Sequence, residues 1–250
     1  PAALKSALKS AQGWWADMGV DTDFPVPPVK KKRPPSTKTK SRPTPTTQVE
    51  TKSSIDTDQI AAKAKAATTL DALKEVISGL DVGDLSDNAK NPVFARGNPQ
   101  ADLMCVGEAP GREEDESGLP FVGPAGQLLD KMLAAIDLSR SENVYITNAV
   151  PWRLPQGQDV LAQDLDMMRP FLERHVALAK PDFLIVMGNI ACQAVLGKRG
   201  VNSLRGKWGE AMGLPVLPMH HPSNLLRNPA KKREAWIDLL ELKTRLRETR

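Results

Sequence analysis

The chain has 250 residues, 40% of them hydrophobic, enough to bury the core of one good-sized domain. No apolar run nears the roughly 20 residues that span a bilayer, no secretory h-region is present, and the two cysteines, Cys105 and Cys192, lack a CxxC companion. These features speak against a membrane protein, a disulfide scaffold or a cysteine metal site, and the expectation is an unexported monomer of the bacterial cytosol or nucleoid with both thiols buried. The formal charge is +4, but seven cations and no acid lie between Phe24 and Val49, leaving −3 for the rest of the chain. Any grip of the folded parts on a polyanion must therefore come from local clusters and not from overall charge.

In chain order, Ala2 to Met18 carries Trp14 and Trp15 on a short amphipathic helix candidate, placed within residues 1–24. Residues 25–58 are rich in Pro, Thr, Ser and Lys and poor in bulky apolar side chains, so they read as a disordered basic linker. A domain is expected over 59–250. Its first helical stripe is Leu70, Leu73, Val76 and Ile77, followed by a buried strand at 103–107. A second stripe, Leu128, Leu129, Met132, Leu133 and Ile136, precedes the strand 144–147. Leu161, Leu165, Met168 and Leu172 form a third helix, expected to bend or break near Pro170. Then come a strand at 183–187, a short helix at 191–196, and a strand at 214–219 whose two prolines suit a sheet edge. Asn228 and Pro229 look like the cap and first turn of a last helix bearing Trp236, Leu239 and Leu240.

Strands alternating with helices imply an α/β fold, a three-layer α/β/α sandwich around a central four-stranded parallel sheet. Ligands of such sheets bind beyond the carboxyl ends of the strands. Glu108, Asn148, Asn189 and His221 follow the four strands in turn. In GEAPGREED two glycines and a proline after a buried strand force a tight turn that holds Glu108 at the rim. GxGxxG and the Walker lysine are both missing, so this is no dinucleotide or nucleotide-triphosphate loop. His221, before Pro222, ends the fourth strand and reads as functional, whereas His220 and His175 read as structural. Leu225 and Leu226 fall in an expected loop between two breakers, where they either pack under the last helix or supply a wedge that enters a base stack.

The blocks NPVFARGNP, GEAPGREED, GLPFVGPAGQLLDKML, VYITN, SLRGKW and HHPSNLLRNPAKKREAW, over about residues 70 to 245, resemble the family 4 uracil-DNA glycosylases in order and spacing. That resemblance implies a uracil-DNA glycosylase-like fold and a monofunctional enzyme of base-excision repair. Its partner would be uracil-containing DNA. It implies catalytic roles for Glu108, His221 and Glu114, and uracil contacts from Ala109, Gly111, Phe121 and Asn148. DNA contacts would fall to Ser223, Leu225, Leu226, Arg227, Arg205 and Lys207, with the helix start at 123–126, Lys198 and Arg199 as further phosphate contacts. Gly111 stands where the best-known uracil glycosylases carry a tyrosine that blocks the thymine methyl, so thymine exclusion would fall to Glu114 or the turn backbone.

The family typically holds a [4Fe-4S] cluster on four cysteines, and the matching positions here are Leu80, Gly83, Trp152 and Met168. None ligates iron. The expectation is therefore no cofactor and no metal, with Trp152 and Met168 as an apolar plug. Three rivals remain open: a uracil-DNA-binding protein that traps its product, although residues 152–163 hold no histidine for it; a metal-dependent phosphoesterase using Glu108, Glu114 and Asp115; and a noncatalytic module acting through the basic tail.

Overall fold

In the computed structural model of the chain, residues 57–155 and 158–249 are described. The helix expected over 1–24 and nearly all of the linker expected over 25–58 lie outside the described residues; the last two linker positions already belong to the first helix, Thr57–Ala66 (α1). Leu70–Ser78 (α2) follows, with the Thr69 hydroxyl accepting from the Ala72 amide as its cap, and then the single turn Asp84–Asp87 (α3).

The sheet is built from Ala95–Gly97 (β1), Leu103–Gly107 (β2), Val144–Asn148 (β3), Phe183–Met187 (β4), Gly209–Ala211 (β5) and Leu214–Met219 (β6), in the order β1-β3-β2-β4-β6-β5. Between the strands run Arg112–Ser117 (α4), Pro124–Ala134 (α5), Ala162–Ala179 (α6), Asn189–Leu196 (α7) and Val201–Leu204 (α8). After the last strand come Pro222–Arg227 (α9), a 3-10 turn at Pro229–Lys231 and Lys232–Glu248 (α10). The four expected strands form the parallel centre, β3-β2-β4-β6. Two three-residue edge strands, antiparallel to β3 and β6, were not anticipated, because Ala-Arg-Gly and Gly-Glu-Ala carry no alternation to read.

Side-chain alternation along the strands sorts the core into the two faces expected of a sandwich. Met104, Val106, Leu184, Val186 and Val216 meet α1, α2, α6 and α7 on one side. Leu103, Cys105, Ile185, Leu217 and Met219 meet α5, α9 and α10 on the other. The two cysteines are both buried but lie in opposite layers, and burial lifts each thiol to about 12. Because β2 connects outward to β3 on one side while β3 crosses back to β4 on the other, the chain reverses its winding at β2, and sheets of this kind bind ligands beyond the carboxyl end of such a strand.

Three local expectations need correction. Strand β6 is not the edge, since β5 pairs with its first half; Pro218 is tolerated because β5 reaches only as far as Val216. Helix α6 runs unbroken through Pro170: the proline removes the N–H that Asp166 would use, but Asp166 is exposed, and burial of Leu165, Met168, Phe171 and Leu172 holds the helix. Most of the loop expected over 223–229 is helix α9, and the last helix starts at Lys232, one 3-10 turn later than Asn228 and Pro229 suggested. The Asn228 side chain turns back to Asn224 instead of capping.

Trp152 and Met168, each 3% exposed, and the partly buried Leu80 pack in the layer formed with α2 and α6. Trp152→Ala is expected to cost about 3–5 kcal/mol in urea-unfolding experiments. A loss below about 1 kcal/mol would contradict a packing role for this side chain.

Candidate active site

At the carboxyl end of β2 the last residue is Gly107. A Cβ there would collide with Asn148 Oδ1 and lie 2.6 Å from the Phe121 ring, so the bare glycine is what lets these two side chains meet over the strand end. Asn148 is the register partner of Gly107 on β3 and is 7% exposed. The two chains stay paired past the sheet, with Ala149 N donating to Gly107 O (2.9 Å) and Val150 N to Glu108 O (3.1 Å). The Asn148 amide is thereby fixed relative to the turn that carries Glu108.

Phe121 lies in the segment between α4 and α5, and the backbone around it is held by side chains from elsewhere in the chain. Its φ of 54° lies in the left-handed region, a strained setting for a bulky residue that costs on the order of 1–3 kcal/mol. Glu114, buried in α4, offsets this: Oε1 accepts from Val122 N and Gly123 N (both 3.0 Å), and Oε2 accepts from Gly111 N (3.0 Å). Hydrogen bonds to a charged group are worth about 1.5–3 kcal/mol each. From the other side Arg140 donates to the carbonyl oxygens of Phe121 and Gly126. Arg140 was not singled out in the sequence, for its partners are 14 and 19 residues away and no local pattern marks it.

Glu108 sits against the start of α7. Its Oε1 accepts from Ile190 N (3.1 Å), and its carboxylate lies over Gly188, whose φ of +95° and lack of Cβ leave it room. Burial pushes the Glu108 carboxyl above its usual range, while the Ile190 and Asn189 amides and the Arg227 guanidinium pull partly the other way. Asn189 Oδ1 accepts from Val201 N (2.9 Å) and Gly200 N (3.2 Å), so Asn189 braces the α8 turn and is not aimed at the pocket.

His221 is the N-cap of α9, with Pro222 in the first turn. Its Nδ1 accepts from the Ser223 amide (3.2 Å) and is 2.8 Å from the Ser223 hydroxyl. A backbone N–H is always a donor, so Nδ1 is the acceptor and the ring proton of the neutral form sits on Nε2. That Nε2 is buried and has no hydrogen-bond partner among the described residues. Burial, then Arg227, lowers the imidazole to about 4. The ring lies 5.5 Å from that of Phe121, centroid to centroid. His220 and His175 serve the scaffold: His220 Nε2 meets Glu234 Oε2 at 2.8 Å, and His175 stacks on Phe94 at 4.3 Å and hydrogen-bonds the Tyr145 hydroxyl.

The structure thus brings Phe121, Asn148 and His221 together, with Glu108 next in the chain after Gly107 and turned to the start of α7, and with Gly111 at the rim. A Cβ on Gly111 would sit 2.6 Å from Glu114 Oε2, so a larger residue there would displace that carboxylate. Ala109 packs back on the α6 layer. Glu114 has both oxygens committed to amides, which is a fastening role and not a water-activating one. Asp115 likewise accepts from Lys90 N and lies 3.8 Å from Arg153, so these acids do not converge with Glu108 as a metal-dependent phosphoesterase would require.

Leu225 is fully buried in the core and is no wedge; Leu226, its neighbour, is 44% exposed. Arg205 is not a free phosphate contact, because Nε donates to Asp238 Oδ2 (2.9 Å) and Nη2 to the Glu234 carbonyl (2.6 Å), tying the SLRGKW segment to α10. Arg199 pairs with Asp159, while Lys198, Lys207 and Arg227 are exposed.

The residues do not fit an iron–sulfur cluster. Trp152, Met168 and Leu80 contribute only apolar or thioether groups to the α6 layer, Gly83 contributes none, and Cys105 and Cys192 lie in separate layers. Among the described residues no group of three or more His, Cys, Asp and Glu side chains is placed to hold a metal ion. Nor is any helix among them long and apolar enough to cross a membrane.

Residues 94–240 match the Uracil DNA glycosylase superfamily. The chain is similar to the Type-4 uracil-DNA glycosylase of Archaeoglobus fulgidus, 34% identical over 183 residues that cover 69% of this chain and 90% of the relative. It is also similar to the Type-4 uracil-DNA glycosylase of Pyrobaculum aerophilum, 35% identical over 179 residues (68% and 91%). A Type-5 uracil-DNA glycosylase of Pyrobaculum aerophilum is 29% identical over 157 residues (56% and 69%).

Burial holds His221 at about 4 and His175 at about 3, below the ordinary histidine value. The unfolded chain takes up protons at both below about pH 6.5 whereas the folded chain does not until much lower, so both withdraw stability as the pH falls through that window. Nitrogen NMR at about pH 6 is expected to show His221 neutral with the proton on Nε2. An imidazolium at that pH would contradict the assignment.

Proposed function

The chain belongs to the uracil DNA glycosylase superfamily, and on that footing we propose that it is a uracil-DNA glycosylase of base-excision repair, a monofunctional hydrolase that flips uracil out of DNA and leaves an abasic site. It acts without a metal or an iron–sulfur cluster, as a monomer, in the bacterial cytosol or nucleoid. The observation that carries the mechanism is the buried, unpartnered Nε2 of a neutral His221 beside the Phe121 ring.

The extruded base stacks on Phe121. Asn148 accepts from uracil N3–H through its amide oxygen and donates to O4 through its NH2, a pairing that cytosine meets with an acceptor at N3 and a donor at C4. As the C1′–N1 bond breaks, its electron pair passes to the uracil ring, and the sugar takes on oxocarbenium character. His221 Nε2–H donates to O2, where negative charge develops; one such preorganised donor is worth about 2.7–4 kcal/mol. Glu108, its carboxyl raised by burial, orients the attacking water, accepts its proton and offsets the positive sugar. Glu114 keeps the pocket wall in place, and with the turn backbone at Gly111 it limits space beside the base, which disfavours the thymine methyl.

On the DNA side, Leu226, the exposed one of the two leucines, is the wedge that fills the vacated stack. Ser223, Arg227, Lys207 and the amino end of α5 contact phosphates, which suits a site where cations are local.

In a single-uracil duplex assay with EDTA present, activity is expected to persist. Glu108→Ala, Asn148→Ala and His221→Ala are each expected to lower the single-turnover rate by about 10²–10³-fold. Near-normal rates in all three would overturn the mechanism. The purified protein is expected to hold no stoichiometric iron and to show no visible charge-transfer band, and finding either would overturn the cluster-free reading.

A further inference from the structure

We propose that Arg140 is a positioning residue for the reaction, fixing the ring of Phe121 by holding the carbonyl groups on both sides of the turn that carries it. The inference rests on the reading that Phe121 stacks on uracil. Arg140 lies between α5 and β3, with a side chain only 11% exposed. Its Nη1 donates to the Phe121 carbonyl oxygen (3.0 Å), its Nη2 to the Gly126 carbonyl oxygen (3.2 Å), and its Nε to Asp130 Oδ1 (2.6 Å). A planar fork with several fixed donors can hold these three acceptors at once; an ammonium cannot reproduce that geometry.

The need for such a clamp follows from the backbone. With φ at 54°, Phe121 turns its carbonyl inward against the first turn of α5, so closely that any Cβ on Gly126 would overlap the oxygen. Arg140 is the donor this carbonyl has, and a buried acceptor left unpaired is destabilising. That penalty adds to the strain of the left-handed residue itself, so without Arg140 the turn would relax toward an ordinary φ and swing the ring away from Gly107. Glu114 secures the amides that follow Phe121, and Arg140 secures its carbonyl. The two charges fasten opposite sides of one residue.

The test is a double-mutant cycle on the full chain, measuring kcat/KM on a uracil-containing duplex, inhibition by free uracil, and melting temperature for Phe121→Ala, Arg140→Gln and the double variant. Arg140→Gln is expected to lose about 10²-fold in kcat/KM, as displacements near 1 Å can cause, and to weaken inhibition by uracil. The double variant is expected to fall no further than Phe121→Ala, because both changes remove the same placed ring. Should Arg140→Gln fail to fold, Arg140→Lys takes its place in the cycle, where an intermediate loss is expected. A lowered Phe121→Ala rate with additive losses, or with normal activity of the Arg140 variant, would overturn the proposal alone. An unaltered Phe121→Ala rate would overturn the stacking reading and the proposal with it.

Discussion

The pocket depends on one buried carboxylate. Glu114 receives the amides of Gly111, Val122 and Gly123, and so joins the turn after β2 to the segment that leads into α5. Every other feature of the site assumes that joint. It sets the entry of α5, it constrains the residue before Val122 to a left-handed conformation, and it requires a glycine at 111, where a Cβ would meet the same carboxylate. Gly107 supplies the matching vacancy on the strand below. A rigid frame of this sort is what the proposed recognition of a small flat base would demand, because the hydrogen-bonding edge of Asn148 could discriminate only against a stacked ring that cannot slide.

The charge states at the site follow from where the groups are buried. His221 is kept neutral by its surroundings, with its proton directed to Nε2 because the helix that starts there uses Nδ1 as its cap. The same cap therefore starts α9 and sets the tautomer. Glu108 is pushed the opposite way along the pH scale by burial, yet it is anchored on amides at the start of α7, which favour its anionic form. In the proposed mechanism, a neutral donor after β6 and a carboxylate of raised basicity after β2, with β4 between those strands, would serve a leaving pyrimidine anion and an attacking water.

The parts of the fold that could be read in the sequence were those written in short-range periodicity. The four parallel strands are nearly continuous apolar runs because both faces of each are covered, and of the polar residues that follow them Asn189 braces the α8 turn instead of facing the other three. Three-residue edge strands carry no such signal. His-Pro-Ser is itself a cap followed by a first-turn proline, so helix α9 was legible, and only the expectation that leucines between breakers lie in a loop obscured it. Arg205 and Arg140 were opaque for another reason: their partners lie 10 to 33 residues away, and an arginine looks the same in a sequence whether it grips a phosphate or Asp238. Glu114 was noticed for its chemistry, whereas the amides that claim it became visible only with the fold.

Behind the pocket, apolar packing of Trp152 and Met168 occupies the layer where the resemblance would place inorganic support. The strand ends are then braced by side-chain packing and by the two charged fastenings around Phe121. The most direct measurement is a crystal structure of the protein with a uracil-containing DNA. Uracil is expected to lie flat on Phe121, with Asn148 along its N3–O4 edge and His221 Nε2 about 3 Å from O2. Uracil seated away from Phe121, or an O2 that His221 does not reach, would contradict the account.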